Sequence, residues 1–554
     1  MSMITTTTWV RRGVAAQFPT KYEIDEEEFN RISELARKQL EDAKGDLKSA
    51  KEEDDKEKQA ETNPDAMDED QDQQDGKEEK SKNNTTTENI EIDDDLKEYD
   101  LEHYDDDEVD EDGEKITMFG NIKSLVYHKP GEKDPYLQLP DDEEDEEKED
   151  LQILPTDNLL LAGKVEDEVA HLEVYVYEDE ADNLYVHHDI MLPAIPLCLE
   201  WLDLPVGRGS EGRTTGNFVA VGTMDPDIEI WDLDVVDCMY PNAILGQGDA
   251  EENDDKPSKK KKKKSKKANS EYHVDSVLAL AANRQHRNLL ASGSADKTVK
   301  LWDLSTTKCA HSYMHHQDKV CALDWHPKES TVLLSGSYDR TVVAADMRAP
   351  EAKAARWGVA SDVENLRWDI HDPNFFYVTT DGGMVYRYDV RNAPATPQES
   401  KPVWTLQAHD SSVSSFDINP TIPGFLATGS TDKQVKLWNV QDNKPSMVVS
   451  RKLDVGKVFS TTFAPDPEVS FRLAVAGSKG TVQIWDTSTN AAVRRTFAGR
   501  LPATAGDGEV QERTVGLNDD DSDSSDGEEG EEAEEGGDGA EGGDHDGWES
   551  MDED

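Results

Sequence analysis

His409, Thr428 and Asp432 stand within 24 residues of one another, followed by Trp438. An imidazole, a hydroxyl and a carboxylate are the groups of a hydrolytic relay: base, nucleophile and orienting acid. Catalysis, however, needs one constellation, and this chain repeats its wording. ATGSTDKQVKLWNVQ at 427–441 restates ASGSADKTVKLWDLS at 291–305 almost residue for residue. No phosphate-binding glycine loop and no nucleophile elbow occurs, and Cys198, Cys238, Cys309 and Cys321 form no paired-ligand spacing. The reading is therefore a non-enzyme with no cofactor and no small-molecule substrate, its cysteines core thiols of a reducing compartment. A second kind of chemistry is concentrated at Lys259, Lys260, Lys261, Lys262, Lys263, Lys264, Lys266 and Lys267, eight lysines in nine residues. Such a run suits nuclear import and sequence-independent contact with phosphates, through counterion release.

The elements that must carry these residues are hairpins. Each copy reads small-Gly-Ser or its near equivalent, a polar turn, an alternating strand, and an aromatic residue before an acid. Further copies lie at 220–234, 334–348, 378–391 and 474–488, with a weaker one at 159–179. The position before the closing acid is Tyr177, Trp231, Trp302, Ala345, Tyr388, Trp438 and Trp485 in turn. From Asp303 the closing positions advance by 43, 43, 50 and 47 residues. This resembles the WD-repeat family, whose ~40–45-residue units are four-stranded blades of a propeller. The resemblance implies an all-β, seven-bladed WD-repeat β-propeller. It also implies that His409, Thr428, Asp432 and Trp438 form one buried hydrogen-bonded chain, structural rather than catalytic. Ala345 and Tyr388 would leave their blades' networks incomplete.

The repeats occupy about 151–500, and the flanks differ in composition. Of a net charge of −62, residues 25–150 carry 49 acidic against 17 basic residues, and 518–554 carry 19 acidic and none basic. Such stretches hold too little apolar material to offset ordering entropy. We therefore expect a partner-anchoring segment at 1–24 built on Trp9, Arg11, Arg12 and Phe18, residue types that dominate interface energetics. An acidic, mostly disordered stretch at 25–115 follows, with one short amphipathic helix near 25–44. There Asp25 and Glu28 resemble a capping box, and Phe29, Ile32, Ala36 and Leu40 recur at helical spacing. Residues 116–140, ITMFGNIKSLVYHKPGEKDPYLQLP, read as an ordered island packing on the propeller or on a partner. An acidic linker at 141–150 leads into the propeller, whose Lys-rich insertion spans 246–271, and an acidic disordered tail covers 501–554. Within that tail Ser525, followed by Asp526 and Glu528, suits an acid-directed kinase. No stretch approaches ~18 consecutive apolar residues, so the expectation is a soluble intracellular protein.

The layout of a WVRRG opening, an acidic linker, the FGNIKSLVYHKPGEKDPYLQLP island, seven hairpins and an acidic end resembles the periodic tryptophan protein one family. That resemblance implies a nuclear and nucleolar scaffold of ribosome biogenesis. It would be monomeric within a large complex and bind precursor large ribosomal subunits through rRNA, ribosomal proteins and other assembly factors. Two other readings use the same features. One is a histone- and chromatin-binding regulator of transcription, suited by the acidic segments. The other is a cullin-ligase substrate receptor, because ADMR at 345–348 and YDVR at 388–391 approximate W-D-x-R.

Overall fold

The computed structural model describes residues 2–22, 151–207, 212–246, 268–350, 352–497, 499 and 513–517. The expected helix near 25–44, the island at 116–140, the linker at 141–150, the lysines of 259–267 and Ser525 lie outside the described residues. Seven antiparallel four-stranded sheets make a seven-bladed β-propeller. Blade three shows the plan, with strands Val277–Ala282, Leu289–Ser294, Val299–Asp303 and Lys308–Tyr313 in spatial order. The second strands are faced by neighbouring blades on both sides. They read as unbroken buried runs, as in Phe218–Thr223 and Phe375–Thr380. The fourth strands meet water, and Lys308–Tyr313 is largely exposed. Between the second and third strands the chain turns through a left-handed residue: Lys297, Arg340, Gly383, Lys433 and Gly480 all have φ between 63° and 79°. Asp296 helps hold its turn by accepting from the Thr298 amide at 2.9 Å.

Alternation of strand direction puts two sets of connections on opposite faces. The links between first and second and between third and fourth strands share what we call the lower face. The second-to-third turns and the passages to the next blade share the upper face.

The boundaries of the ring differ from those expected. Residues 1–24 were read as a partner anchor, yet Ser2–Val10 is the innermost strand of blade one, paired antiparallel with Asn158–Glu166. Val169–Glu178 and Asn183–Leu192 complete that blade. Blade seven ends in Arg513–Gly516, beyond residue 500, paired with Val482–Asp486. Six threonine, valine and isoleucine residues at 4–8 and 10 make Ser2–Val10 a natural strand, although 147 residues separate it from its partner. Its register slips between Ile4 and Thr6, as the innermost strands slip at Val320/Ala322, Val363/Asn365 and Val458/Ser460. Thr5 Oγ1 donates to Pro196 O of blade two at 2.7 Å, as Ser414 Oγ of blade six donates to Val458 O of blade seven at 2.5 Å. The amino-terminal strand thus has the shape and the neighbours of a regular blade strand.

Candidate functional site

The relay-type residues are assembled in three blades. In blade six, His409 Nδ1 lies 2.9 Å from Asp432 Oδ2, and its Nε2 lies 2.8 Å from Thr428 Oγ1. Trp438 Nε1 donates to the same hydroxyl at 2.9 Å. Blade three repeats this with His273, Asp296, Ser292 and Trp302 at 2.9, 2.7 and 2.8 Å. In blade four His316 bridges Asp339 and Ser335, but Ala345 brings no indole to the hydroxyl. Burial decides what these groups can do. The His273, His316 and His409 side chains have no exposed surface, so no substrate reaches them. Burial pushes the His273 and His409 rings below the ordinary imidazole value, against the pull of Asp296 and Asp432. Burial would also raise Asp296, but the His273 ring and Thr298 outweigh it and hold the carboxyl at about 2. A neutral ring beside an ionised carboxylate ties the upper-face turn to the entry of the first strand.

The four amino-terminal residues separate. Trp9 is buried between blades one and seven, stacks edge-on against Tyr177 at 6.1 Å, and donates to Thr462 O at 3.0 Å. Arg12 donates from its amide to Asp466 and from Nε to Asn158, at 3.0 and 2.8 Å. These two close the ring, which corrects their expected role as a partner contact. Arg11 and Phe18 are exposed on the lower face.

Two further charged sets stand out. Glu200, Asp324, Arg367 and Asp417 occupy one register position in the innermost strands of blades two, four, five and six. Each acid accepts from the next blade's innermost strand, or from the residue ending it: Glu200 from Ala282 N at 3.2 Å, Asp324 from Trp368 N at 2.7 Å, Asp417 from Phe463 N at 2.8 Å. Burial pushes Asp324 up to about 6, with Arg367 opposing. On the lower face, Arg348 and Arg391 each chelate their own blade's Asp346 and Asp389 in two hydrogen bonds of 2.7–3.1 Å. Among the described residues no group of three or more His, Cys, Asp or Glu is placed to hold a metal ion. No helix there is long and apolar enough to cross a membrane.

The family described as WD domain, G-beta repeat matches residues 266–303, 307–343 and 400–439. An uncharacterized WD repeat-containing protein of Schizosaccharomyces pombe is 50% identical over 521 residues, 94% of this chain and 95% of its own length. Periodic tryptophan protein 1 of Saccharomyces cerevisiae is 39% identical over 560 residues, 93% of each chain. The chain belongs to the periodic tryptophan protein 1 family. A Drosophila melanogaster homolog is 30% identical over 366 residues, 65% of this chain and 74% of its own.

The three matched ranges contain at least half of the third strands of blades three, four and six, the blades whose His joins an Asp to a Ser or Thr hydroxyl. The other four blades of this family member differ at the same position, and three of them satisfy it. Trp231 Nε1 donates to Glu229 at 3.2 Å, Tyr177 OH to Asp179 at 3.0 Å, and Tyr388 OH to Gly358 O at 3.1 Å. Trp485 belongs to one buried cluster with Phe425, Leu473 and Val475, and its Nε1 has no hydrogen-bond partner among the described residues. The guanidinium of Arg451 lies 5.2 Å from its ring. The His273 and His316 networks were not singled out in the sequence, although the spacing of 23 residues from His to Asp is identical in all three blades.

Proposed function

We propose that the protein is a non-catalytic scaffold of ribosome biogenesis that binds precursor large ribosomal subunits in the nucleolus. The observation that carries the non-catalytic part is the fate of the relay-type residues: the three networks that join a His to both an Asp and a Ser or Thr hydroxyl are sealed inside blades and committed to holding turns. What remains is a ring that presents loops on two faces, a platform rather than a pocket for chemistry. Family membership supports the particle as target, since the periodic tryptophan protein one resemblance implies large-subunit assembly. Net charge supports a role among basic proteins and RNA, because acidic flanks attract basic ribosomal proteins while Lys259–Lys267 offers a phosphate contact.

The test is affinity purification of the tagged full-length protein from its own cells, with sequencing of the RNA and identification of the proteins recovered. Enrichment of precursor large-subunit rRNA is the expected result. Recovery of histones or of a cullin adaptor with no enrichment of rRNA would overturn it.

A further inference from the structure

Where the fourth strand of blade three passes towards blade four, the outer edge of the ring holds a cavity of about 320 Å³. That is the low end of the range for small-ligand pockets, with room for one flat ring system. Part of its wall is a row of rings. His311 meets Tyr313 edge-on at 4.6 Å, and Tyr313 meets His315 at 5.7 Å. Tyr313 is buried and pinned by its hydroxyl, which donates to Met347 O at 2.6 Å, whereas His311 is exposed. Two polar atoms of lining residues, Asn269 Nδ2 and His315 Nε2, are buried with no partner among the described residues. Buried polar groups are as a rule paired, so two unpaired ones beside one cavity fit a ligand that pairs with both. The Asn269 amide is not free to turn: its Oδ1 accepts from the Glu271 and Tyr272 amides at 2.8 and 2.9 Å.

The chemistry of the wall selects the ligand. No Lys or Arg lines the cavity. The nearby cations are engaged, Lys300 with Asn269 O and Ser312 Oγ, Arg356 with His315 O and Thr341 Oγ1. Burial, with His316 and Arg356 adding to it, pushes the His315 ring below the ordinary imidazole value and keeps it neutral at pH 7. A phosphate would meet no charge here. An amide donor beside a neutral imidazole matches instead the edge of an uncharged heterocycle, and the exposed His311 ring offers that heterocycle a stacking partner. We propose that this cavity binds one unpaired nucleobase of a single-stranded RNA, stacked on His311 and hydrogen-bonded along its edge by Asn269 Nδ2 and His315 Nε2. The proposal rests on the reading of the protein as an rRNA-binding scaffold, and adds a base contact to the phosphate contact of the lysines. Lys266 and Lys267 stand three and two residues before Asn269 in the sequence, and a nucleic acid brings to that run the phosphates that a peptide amide lacks.

Two measurements on the full-length protein test it. A mixed-sequence 12-nucleotide RNA carrying 4-thiouridine, crosslinked and followed by trypsin digestion, should leave a nucleotide on the peptide Cys309–Lys319. In fluorescence anisotropy at fixed salt, His311→Ala should weaken binding of the single strand at least about fivefold, the lower end of what a lost base stack costs, with an unchanged salt dependence. Asn269→Asp, which keeps the acceptor for Glu271 and Tyr272 and removes the Nδ2 donor, should weaken it as well. A duplex of the same length, its bases stacked inside, should bind the unmodified protein and His311→Ala alike. Equal single-strand affinity in the unmodified protein and both variants, a crosslink confined to other peptides, or no binding of the single strand would overturn the base site, whatever RNA is recovered from cells. The expected losses together with no enrichment of precursor rRNA from cells would uphold the site and overturn the large-subunit target instead.

Discussion

A buried hydrogen-bonded residue can be judged by what its removal strands. Asp432→Ala leaves His409, a fully buried side chain, with its Nδ1 unmet, and removes the acceptor for the Gln434 amide at 2.9 Å. The expected cost is about 1–3 kcal/mol of stability, read as a fall in the thermal or urea midpoint. An unchanged midpoint would mean that the network does not support the blade. Glu229 offers a test in pH. Burial pushes its carboxyl up to about 7, against the donation from Trp231 Nε1. A group that binds its proton more tightly in the folded state adds stability below the unfolded value of about 4.5 and loses it as pH rises through about 7. Glu229→Gln keeps an acceptor for the indole and abolishes the titration. Relative to that variant, the wild type should therefore lose on the order of 1–3 kcal/mol between pH 4.5 and pH 8. Parallel urea midpoints across that range would refute the assignment.

At the scale of the element, the innermost strand Ser2–Val10 separates a structural segment from a surface one within twenty residues. Trp9→Ala should cost about 3–5 kcal/mol, because it empties a site between blades one and seven and frees Thr462 O. Phe18→Ala, on an exposed side chain, should stay within about 0.5 kcal/mol. Thermal melts of the two variants side by side decide the matter, and equal melts would show that the amino-terminal strand is dispensable. The same strand shows what the sequence could convey. The third strands were legible because a turn acid, a short alternating run and an aromatic residue sit within about ten residues, so the signal is local. Ser2–Val10 and Arg513–Gly516 were not, since the first pairs across a long acidic stretch, the second across 26 residues that include the helix Ala491–Phe497, and neither is joined to its partner by a tight turn. Trp9 and Arg12 look like interface residues in isolation, and only the presence of Tyr177, Asp466 and Asn158 makes them core. Likewise the tetrad at His409 could be read from blade six alone.

For the whole molecule, the ring is closed by both ends of the ordered chain. Blade one takes its first strand from residues 2–10, and blade seven takes its last from 513–516. Between those two blades lie the Thr7–Ser460 hydrogen bonds, the Arg472–Asp179 pair at 2.8 Å and the Arg513–Asp182 pair at 2.6 Å. No blade-one sheet is complete until Ser2–Val10 has found Asn158–Glu166 across 147 intervening residues. Closing a chain of that length costs conformational entropy that grows with the logarithm of its length, about 0.6 kcal/mol for each doubling. Deleting residues 45–115 roughly halves the connection, retains 25–44 and 116–150, and touches no described strand. The shortened protein should therefore be more stable by about 0.6 kcal/mol in urea unfolding, with an unchanged slope, and should refold faster because the amino-terminal strand searches a smaller volume. A loss of more than about 1 kcal/mol would show instead that 45–115 contributes contacts of its own to the ring. An unchanged folding rate would place ring closure after the slowest step of folding.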